Sequence, residues 1–128
     1  MTRPDRILVV DDNELAAELL AELLLMCGHA VRTANDAASA RDLAREFQPQ
    51  VAILDLWLPD THGCELGPQL RALPGLEALT LVALTGDSSM STRRWASASG
   101  FAEYVTKPLS PTRLDELLGR VCTPVWKH

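Results

Sequence analysis

No stretch of this sequence stays apolar long enough to cross a membrane, and the polar start, with Arg3, Asp5 and Arg6, has no apolar signal core behind it. That predicts a cytoplasmic chain. Basic charge is also scarce: 12 Lys and Arg stand against 17 Asp and Glu, a formal net charge of −5, which leaves no electrostatic footprint for nucleic acid or an anionic membrane. Cysteine is sparse and odd in number. Cys27, Cys64 and Cys122 lie far apart with no C-x-x-C pair, so neither a disulfide framework nor a zinc site has support, and buried or half-buried thiols are expected. His29, His62 and His128 are scattered and give no transition-metal pattern. Internal repeats, linkers and low-complexity tracts are missing. With 128 residues, 47% apolar and 23% charged, the chain has the size and composition of one globular domain, its core running over about 6–121.

What is there is organised around Val51–Asp55. Four consecutive apolar residues, two of them β-branched, read as a strand buried on both faces, and such strands belong to parallel sheets covered by helices. A charged residue closing that strand is costly to bury, yet the carboxyl ends of strands are where open α/β sheets keep their binding crevices.

A second β-rich run, Arg6–Val10, ends abruptly in Asp11-Asp12-Asn13. Glu14–Met26 then carries Leu15, Leu19, Leu20, Leu23 and Leu24 at helical spacing, with Asn13 as N-cap and Gly28 as the stop. A weaker strand, Ala30–Ala34, precedes a helix over 36–47 that Asn35 is placed to cap. After Asp55 comes a loop with Pro59 and Gly63. The helix that follows, about 64–73, contains Gly67-Pro68, which predicts a short, tightened or kinked element. A strand over 79–84 ends in Thr85-Gly86-Asp87, and Asp87 or Ser88 caps a helix over 89–98 built of weak formers with a thin apolar stripe. A fifth strand over 101–105 leads to Thr106-Lys107-Pro108, and Ser110-Pro111 opens the last helix. Five alternations of strand and helix predict a doubly wound α/β fold with a five-stranded parallel sheet.

In such a fold Asp11-Asp12, Asp55, Thr85 and Lys107 all come to one crevice, because each closes a strand. Three clustered carboxylates repel one another unless a cation sits among them, and Mg²⁺, a hard cation that keeps waters and takes few carboxylates beside phosphate oxygens, suits them. A carboxylate also serves as a covalent nucleophile towards phosphorus. Asp55 fits that role, with Lys107 and Thr85 supplying charge and a donor to the phosphoryl oxygens.

These motifs, Ile7-Leu8-Val9-Val10-Asp11-Asp12-Asn13, Asp55 with Leu58-Pro59 and Gly63, Leu84-Thr85-Gly86, Gly100-Phe101 and Tyr104-Val105-Thr106-Lys107-Pro108, resemble those of two-component response-regulator receiver domains. The resemblance implies a flavodoxin-like (βα)5 fold with strand order 2-1-3-4-5. It implies Asp55 as phosphoacceptor, Asp12 as a direct Mg²⁺ ligand, Asp11 as a mostly water-mediated one, and the Trp57 carbonyl completing the protein's share of the shell. Thr85 and Lys107 would contact the phosphoryl group, Tyr104 would be the aromatic switch, and Lys107-Pro108 a cis peptide. The implied partners are a sensor histidine kinase or histidine phosphotransfer protein upstream and a protein or kinase module downstream. Two residues depart from the usual pattern: Trp57 is bulkier than the small polar residues common two after the acceptor, and Gly86 stands beside Thr85 in place of a small side chain.

A haloacid-dehalogenase-type aspartyl phosphatase would want a second Asp where Trp57 stands. An FMN carrier of the same fold would want a Ser/Thr/Gly-rich phosphate loop where Asp11-Asp12-Asn13 would repel the phosphate. A pseudo-receiver that binds partners without phosphorylation would keep the fold alone. The expectation is a phosphorylated switch with slow self-hydrolysis, not a metabolic enzyme. The Met1 start and the lack of an output domain suit a stand-alone regulator, and a receiver cut from a hybrid histidine kinase presents the same sequence.

Overall fold

The computed structural model describes residues 5–122. Arg3, His128 and the tail 123–128 lie outside the described residues. Ten elements alternate along the chain: β1 (Arg6–Val10), α1 (Glu14–Met26), β2 (Ala30–Ala34), α2 (Ala37–Phe47), β3 (Val51–Asp55), α3 (Gly63–Arg71), β4 (Thr80–Thr85), α4 (Met90–Ala98), β5 (Glu103–Thr106) and α5 (Pro111–Val121). All strand pairs are parallel, in the order β2-β1-β3-β4-β5.

Two apolar layers follow from the strand pleat. Ile7 and Val9 of β1, with Val51 and Ile53 of β3, face α1 and α5, where Leu20, Leu24, Leu114 and Leu117 cover them. Leu8, Val10, Ala52 and Leu54 face the other way, towards Ala40 and Ala44 of α2, Leu66 and Leu70 of α3, and Ala96 of α4. β3 is buried along its whole length, as its unbroken apolar run predicts. β2 is a sheet edge and mostly exposed.

Several boundaries differ from the sequence expectation. Asp36, not Asn35, caps α2: its carboxylate accepts the Ser39 N–H at 2.7 Å, while the Asn35 amide donates to the Asp11 carbonyl. Ser89, rather than Asp87 or Ser88, caps α4, because the Asp87 carboxylate is drawn into the loop by the Ser89 N–H at 2.8 Å and the Thr92 hydroxyl at 2.8 Å. β5 starts at Glu103 instead of 101. Gly100 turns the chain with a φ of 92°, and the Phe101 N–H still bonds back to Ala96 of α4.

Pro68 lies inside α3, which is short and tightened at its start, where the Glu65 and Leu66 N–H groups share the His62 carbonyl. Packing holds the helix there despite the missing N–H: a Cβ on Gly67 would meet Leu81 and Phe101 at 2.9 Å, so the backbone sits closer to the sheet than any side chain allows. On α1 the leucine stripe is wider than the sheet can cover. Ala17, Leu20 and Leu24 are buried, while Leu15 and Leu19 are 63% and 54% exposed. Cys64 and Cys122 are buried as expected, whereas Cys27 is exposed.

Candidate functional site

Register builds the site. Val10 of β1 pairs with Leu54 of β3, so the next residues, Asp11 and Asp55, emerge side by side. Asp55 in turn pairs with Leu84, Thr85 pairs with Thr106, and the Lys107 N–H bonds the Thr85 carbonyl at 2.8 Å. Four strand ends therefore converge, and the Lys107-Pro108 peptide is cis.

Carboxylate oxygens of Asp11, Asp12 and Asp55 lie within 4.8 Å of one another, with Asp11 and Asp55 buried and Asp12 exposed. Lys107 Nζ bridges the buried pair, 3.0 Å from Asp11 Oδ2 and 3.2 Å from Asp55 Oδ2. Each carboxylate takes one backbone donor on its other oxygen, Asn13 N–H at 2.9 Å for Asp11 and Trp57 N–H at 3.1 Å for Asp55.

Burial pushes the Asp55 carboxyl above its ordinary value. The Trp57 N–H and the Lys107 ammonium oppose this without cancelling it, and Asp11 adds to the rise. Burial alone would lower Lys107, but its hydrogen bond to Asp11 and the charges of both acids outweigh that and hold the ammonium above its usual range. Three carboxylates against one ammonium leave two negative charges at the crevice, and repulsion at 4.8 Å or less is worth about 3.5 kcal/mol or more per ionised pair at an effective dielectric near 20. The donor set, hard oxygens at the edge of solvent with an excess of two charges, fits Mg²⁺.

Thr85 is fully buried and its Oγ accepts the Asp87 N–H at 3.1 Å, which leaves the hydroxyl hydrogen available to the crevice. Tyr104 is half-buried against the core, not out in solvent. Its hydroxyl donates to the Asp87 carbonyl, and Arg93 stacks its guanidinium 4.6 Å from the ring centre.

The loop expected after Asp55 frames the acceptor through two residues, Asp60 and His62, to which the sequence assigned no role. Asp60 accepts the Ala37 and Ala38 N–H groups at 2.9 and 3.1 Å, fastening α2 to the β3–α3 loop; these bonds, Ala37 first, hold its carboxyl below its ordinary value. Gly63 is required by close approach, since a Cβ there would meet Leu56 Cα at 2.8 Å. His62 caps α3 through Nδ1, which accepts the Cys64 N–H at 3.0 Å. Nothing in the sequence marks an imidazole as a cap where Ser, Thr, Asp or Asn is the rule.

A second titratable cluster lies at the far end of the sheet, where Asp5, His29 and Cys122 bring ligand-type atoms within 4.8 Å despite their scatter in sequence. His29 Nδ1 accepts the Asp5 N–H, so its hydrogen sits on Nε2, and burial with the Asp5 hydrogen bond pushes the Cys122 thiol up to about 12.

A doubly wound sheet whose carboxylates gather where the chain crosses from β1 to β3 belongs to the class that binds ligands at its topological switch point. Comparison with known proteins narrows the class. The family model for the response regulator receiver domain matches residues 7–119, and the chain belongs to that family, the phosphoacceptor module of two-component signalling. It is 36% identical over 118 residues to the response regulator MprA of Mycobacterium sp. (strain KMS), covering 92% of this chain and 49% of that protein, so it spans about half of that relative's length. The chemotaxis protein CheY4 of Vibrio cholerae superposes with a TM-score of 0.87 at 26% identity, covering 93% of this chain and 99% of that one. The receiver domain of the sensor histidine kinase PA1611 of Pseudomonas aeruginosa, whose active-site cleft coordinates magnesium, shares the fold with a TM-score of 0.82 at 24% identity, over 93% of this chain and 98% of that one. Among the described residues no helix is long and apolar enough to cross a membrane.

Proposed function

We propose that Asp55 is the phosphoacceptor of this receiver and that the chain is a signalling switch with slow self-hydrolysis, acting in the cytoplasm as one domain, either alone or as part of a hybrid kinase. The observation that carries this reading is the Lys107 ammonium shared between Asp11 and Asp55 beside a cluster two charges short of neutrality. Asp11, Asp12, Asp55 and the Trp57 carbonyl would hold Mg²⁺, which when bound screens the charge on the phosphoryl oxygens. In the transfer an Asp55 oxygen forms a bond to phosphorus, the P–N bond of a donor phosphohistidine breaks, and the departing imidazole keeps the electron pair and takes up a proton. Lys107 and the Thr85 hydroxyl neutralise and orient the phosphoryl oxygens.

The donor is a sensor histidine kinase or phosphotransfer protein. A groove of about 340 Å³ runs from Asp11 and Lys107 between α1 and the segment after β5, lined by Leu19, Leu23, Pro108 and Leu109. Its apolar wall beside the crevice, continued by exposed Leu15, suits a donor helix that must bring its histidine to Asp55.

Intact-mass spectrometry after incubation with acetyl phosphate and Mg²⁺ tests the reading. One phosphoryl adduct is expected, lost in Asp55→Asn and on chelation. An adduct that survives the substitution refutes the assignment of Asp55.

A further inference from the structure

Beside the acceptor three rings meet. The His62 imidazole packs edge-on against the Trp57 indole, centroids 4.6 Å apart at 83°, and lies flat on the Trp95 indole at 4.0 Å and 19°. Trp57 belongs to the segment after β3, whose N–H already holds Asp55 Oδ1, and Trp95 belongs to α4. Trp57 and His62 also pair through their backbones in an isolated antiparallel bridge.

His62 is fixed from several sides at once. Its Nδ1 caps α3, so the ring cannot turn without releasing the Cys64 N–H, and its hydrogen therefore resides on Nε2, which is buried with no hydrogen-bond partner among the described residues. An unsatisfied buried N–H is a cost that an ordinary cap residue would avoid; Ser or Asn would close the same helix without it. What the imidazole adds over those residues is a flat ring between two indoles. α4 needs such an anchor, because only Thr92 and Ala96 of its nine residues are buried. Trp95, 43% exposed, is thus held by a partner from the acceptor loop and not by the sheet.

We propose that His62 and Trp95 are positioning residues for Trp57, and that the three-ring stack joins α4 to the phosphoryl site so that the lifetime of the phosphorylated state is set in part from α4. This rests on the phosphoacceptor role of Asp55. In hydrolysis a water oxygen forms a bond to phosphorus as the P–O bond to Asp55 breaks; Asp55 leaves as the carboxylate, and the water's proton passes to solvent with inorganic phosphate. The Trp57 side chain stands two residues from that bond and offers an N–H but no acceptor to orient the water. A braced indole keeps the approach closed, and a loosened one admits water. Through the same stack, a partner that engages Trp95 also alters the phosphoryl lifetime, and phosphorylation alters the environment of Trp95.

The experiment follows decay of the acetyl-phosphate-generated adduct by intact mass, in the full chain with Mg²⁺, for His62→Asn, Trp95→Leu, Trp95→Phe and each of the first two combined with Trp57→Asn. Asparagine keeps a cap for α3 while removing the ring, and leucine keeps apolar bulk on α4 without a stacking face. Melting curves for every variant separate altered kinetics from lost structure. His62→Asn and Trp95→Leu are expected to shorten the lifetime by about threefold or more, which corresponds to about 0.7 kcal/mol off the hydrolysis barrier. Trp95→Phe is expected to restore most of it, and in the Trp57→Asn background the two changes are expected to have no further effect. Adducts that form normally and decay at the wild-type rate in both ring-deleting variants overturn the inference and leave the role of Asp55 intact. Shortening of equal size with and without Trp57 overturns it too, since the brace would then act by another path. No adduct on the wild-type chain overturns the role of Asp55 and the inference with it.

Discussion

The Tyr104 hydroxyl donates to the backbone carbonyl of Asp87, the residue whose own N–H is held by the Thr85 hydroxyl. The two flanking residues of the proposed switch are therefore joined through one residue, and the Asp87 carboxylate fastens that residue to Ser89 and Thr92 at the start of α4. A Thr85 hydroxyl drawn towards new phosphoryl oxygens would disturb Asp87, and with it the bond that keeps Tyr104 half-buried. Output is then expected to run through the face of α4, β5 and α5.

The first prediction concerns that link. In NMR spectra of the beryllofluoride-activated protein, Tyr104 is expected to shift in the wild type and to stay unresponsive in Thr85→Ala, while Trp95, reached through His62, still responds. Tyr104→Phe is expected to cost about 0.5–1.5 kcal/mol by denaturant unfolding, the usual worth of one hydrogen bond. A Tyr104 that responds fully without the Thr85 hydroxyl would remove Thr85 from the route.

Gly86, the departure beside Thr85, is not forced by the backbone. Its φ lies outside the left-handed region, and a Cβ there would meet nothing within 4 Å. Gly86→Ala is accordingly expected to stabilise the protein by about 0.4–1 kcal/mol by narrowing the unfolded ensemble, raising the melting midpoint by about 2–4 °C in calorimetry. A lower midpoint would mean that the loop uses a conformation closed to alanine.

What the sequence made legible and what it did not divide along physical lines. Asp11, Asp55, Thr85 and Lys107 were readable because each closes an apolar strand, and parallel topology alone then brings strand ends together. Cap residues were misplaced by one or two positions at α2 and α4, where neighbouring Asn, Asp and Ser side chains are all able to cap a helix and only tertiary placement decides. The exposure of Leu15 and Leu19 was hidden because helical periodicity marks an apolar stripe without saying how much of it the sheet covers. The stack of His62 on Trp95 joins residues 33 apart in sequence and leaves no local pattern at all.

Trp57 itself gives a third prediction. Its side chain is 55% exposed and packs on His62 beside the acceptor. Trp57→Asn, which replaces the indole by a small group able to orient water, is expected to speed loss of the phosphoryl group by about tenfold, with the Mg²⁺ midpoint unchanged. Decay as slow as in the wild type would show that the indole does not govern access of water.

The last prediction joins metal, charge and pH. Burial raises the Asp55 carboxyl, so the fold favours its protonated form. That preference contributes stability below the ordinary carboxylate value of 3.8, and the contribution is lost as pH rises through the raised one. Once ionised, Asp55 lies buried beside Asp11, with Lys107 supplying the only positive charge within hydrogen-bond reach among the described residues. Mg²⁺ binds this ionised form and competes with the proton. At a concentration ten times its dissociation constant it is expected to add about 1.4 kcal/mol by mass action, or about 5 °C for a chain of this size. The gain is expected in full at pH 7.5 and to shrink as pH falls towards the Asp55 titration, because protons then occupy the site. Lys107→Ala works in the opposite sense to protonation: it removes the internal cation, lowers the ion-free midpoint, and enlarges the Mg²⁺-induced shift. Differential scanning fluorimetry at pH 5 and 7.5, with and without millimolar Mg²⁺, measures all of these. A midpoint indifferent to Mg²⁺ at pH 7.5, or a shift that grows on acidification, would show that the three carboxylates do not form a metal site.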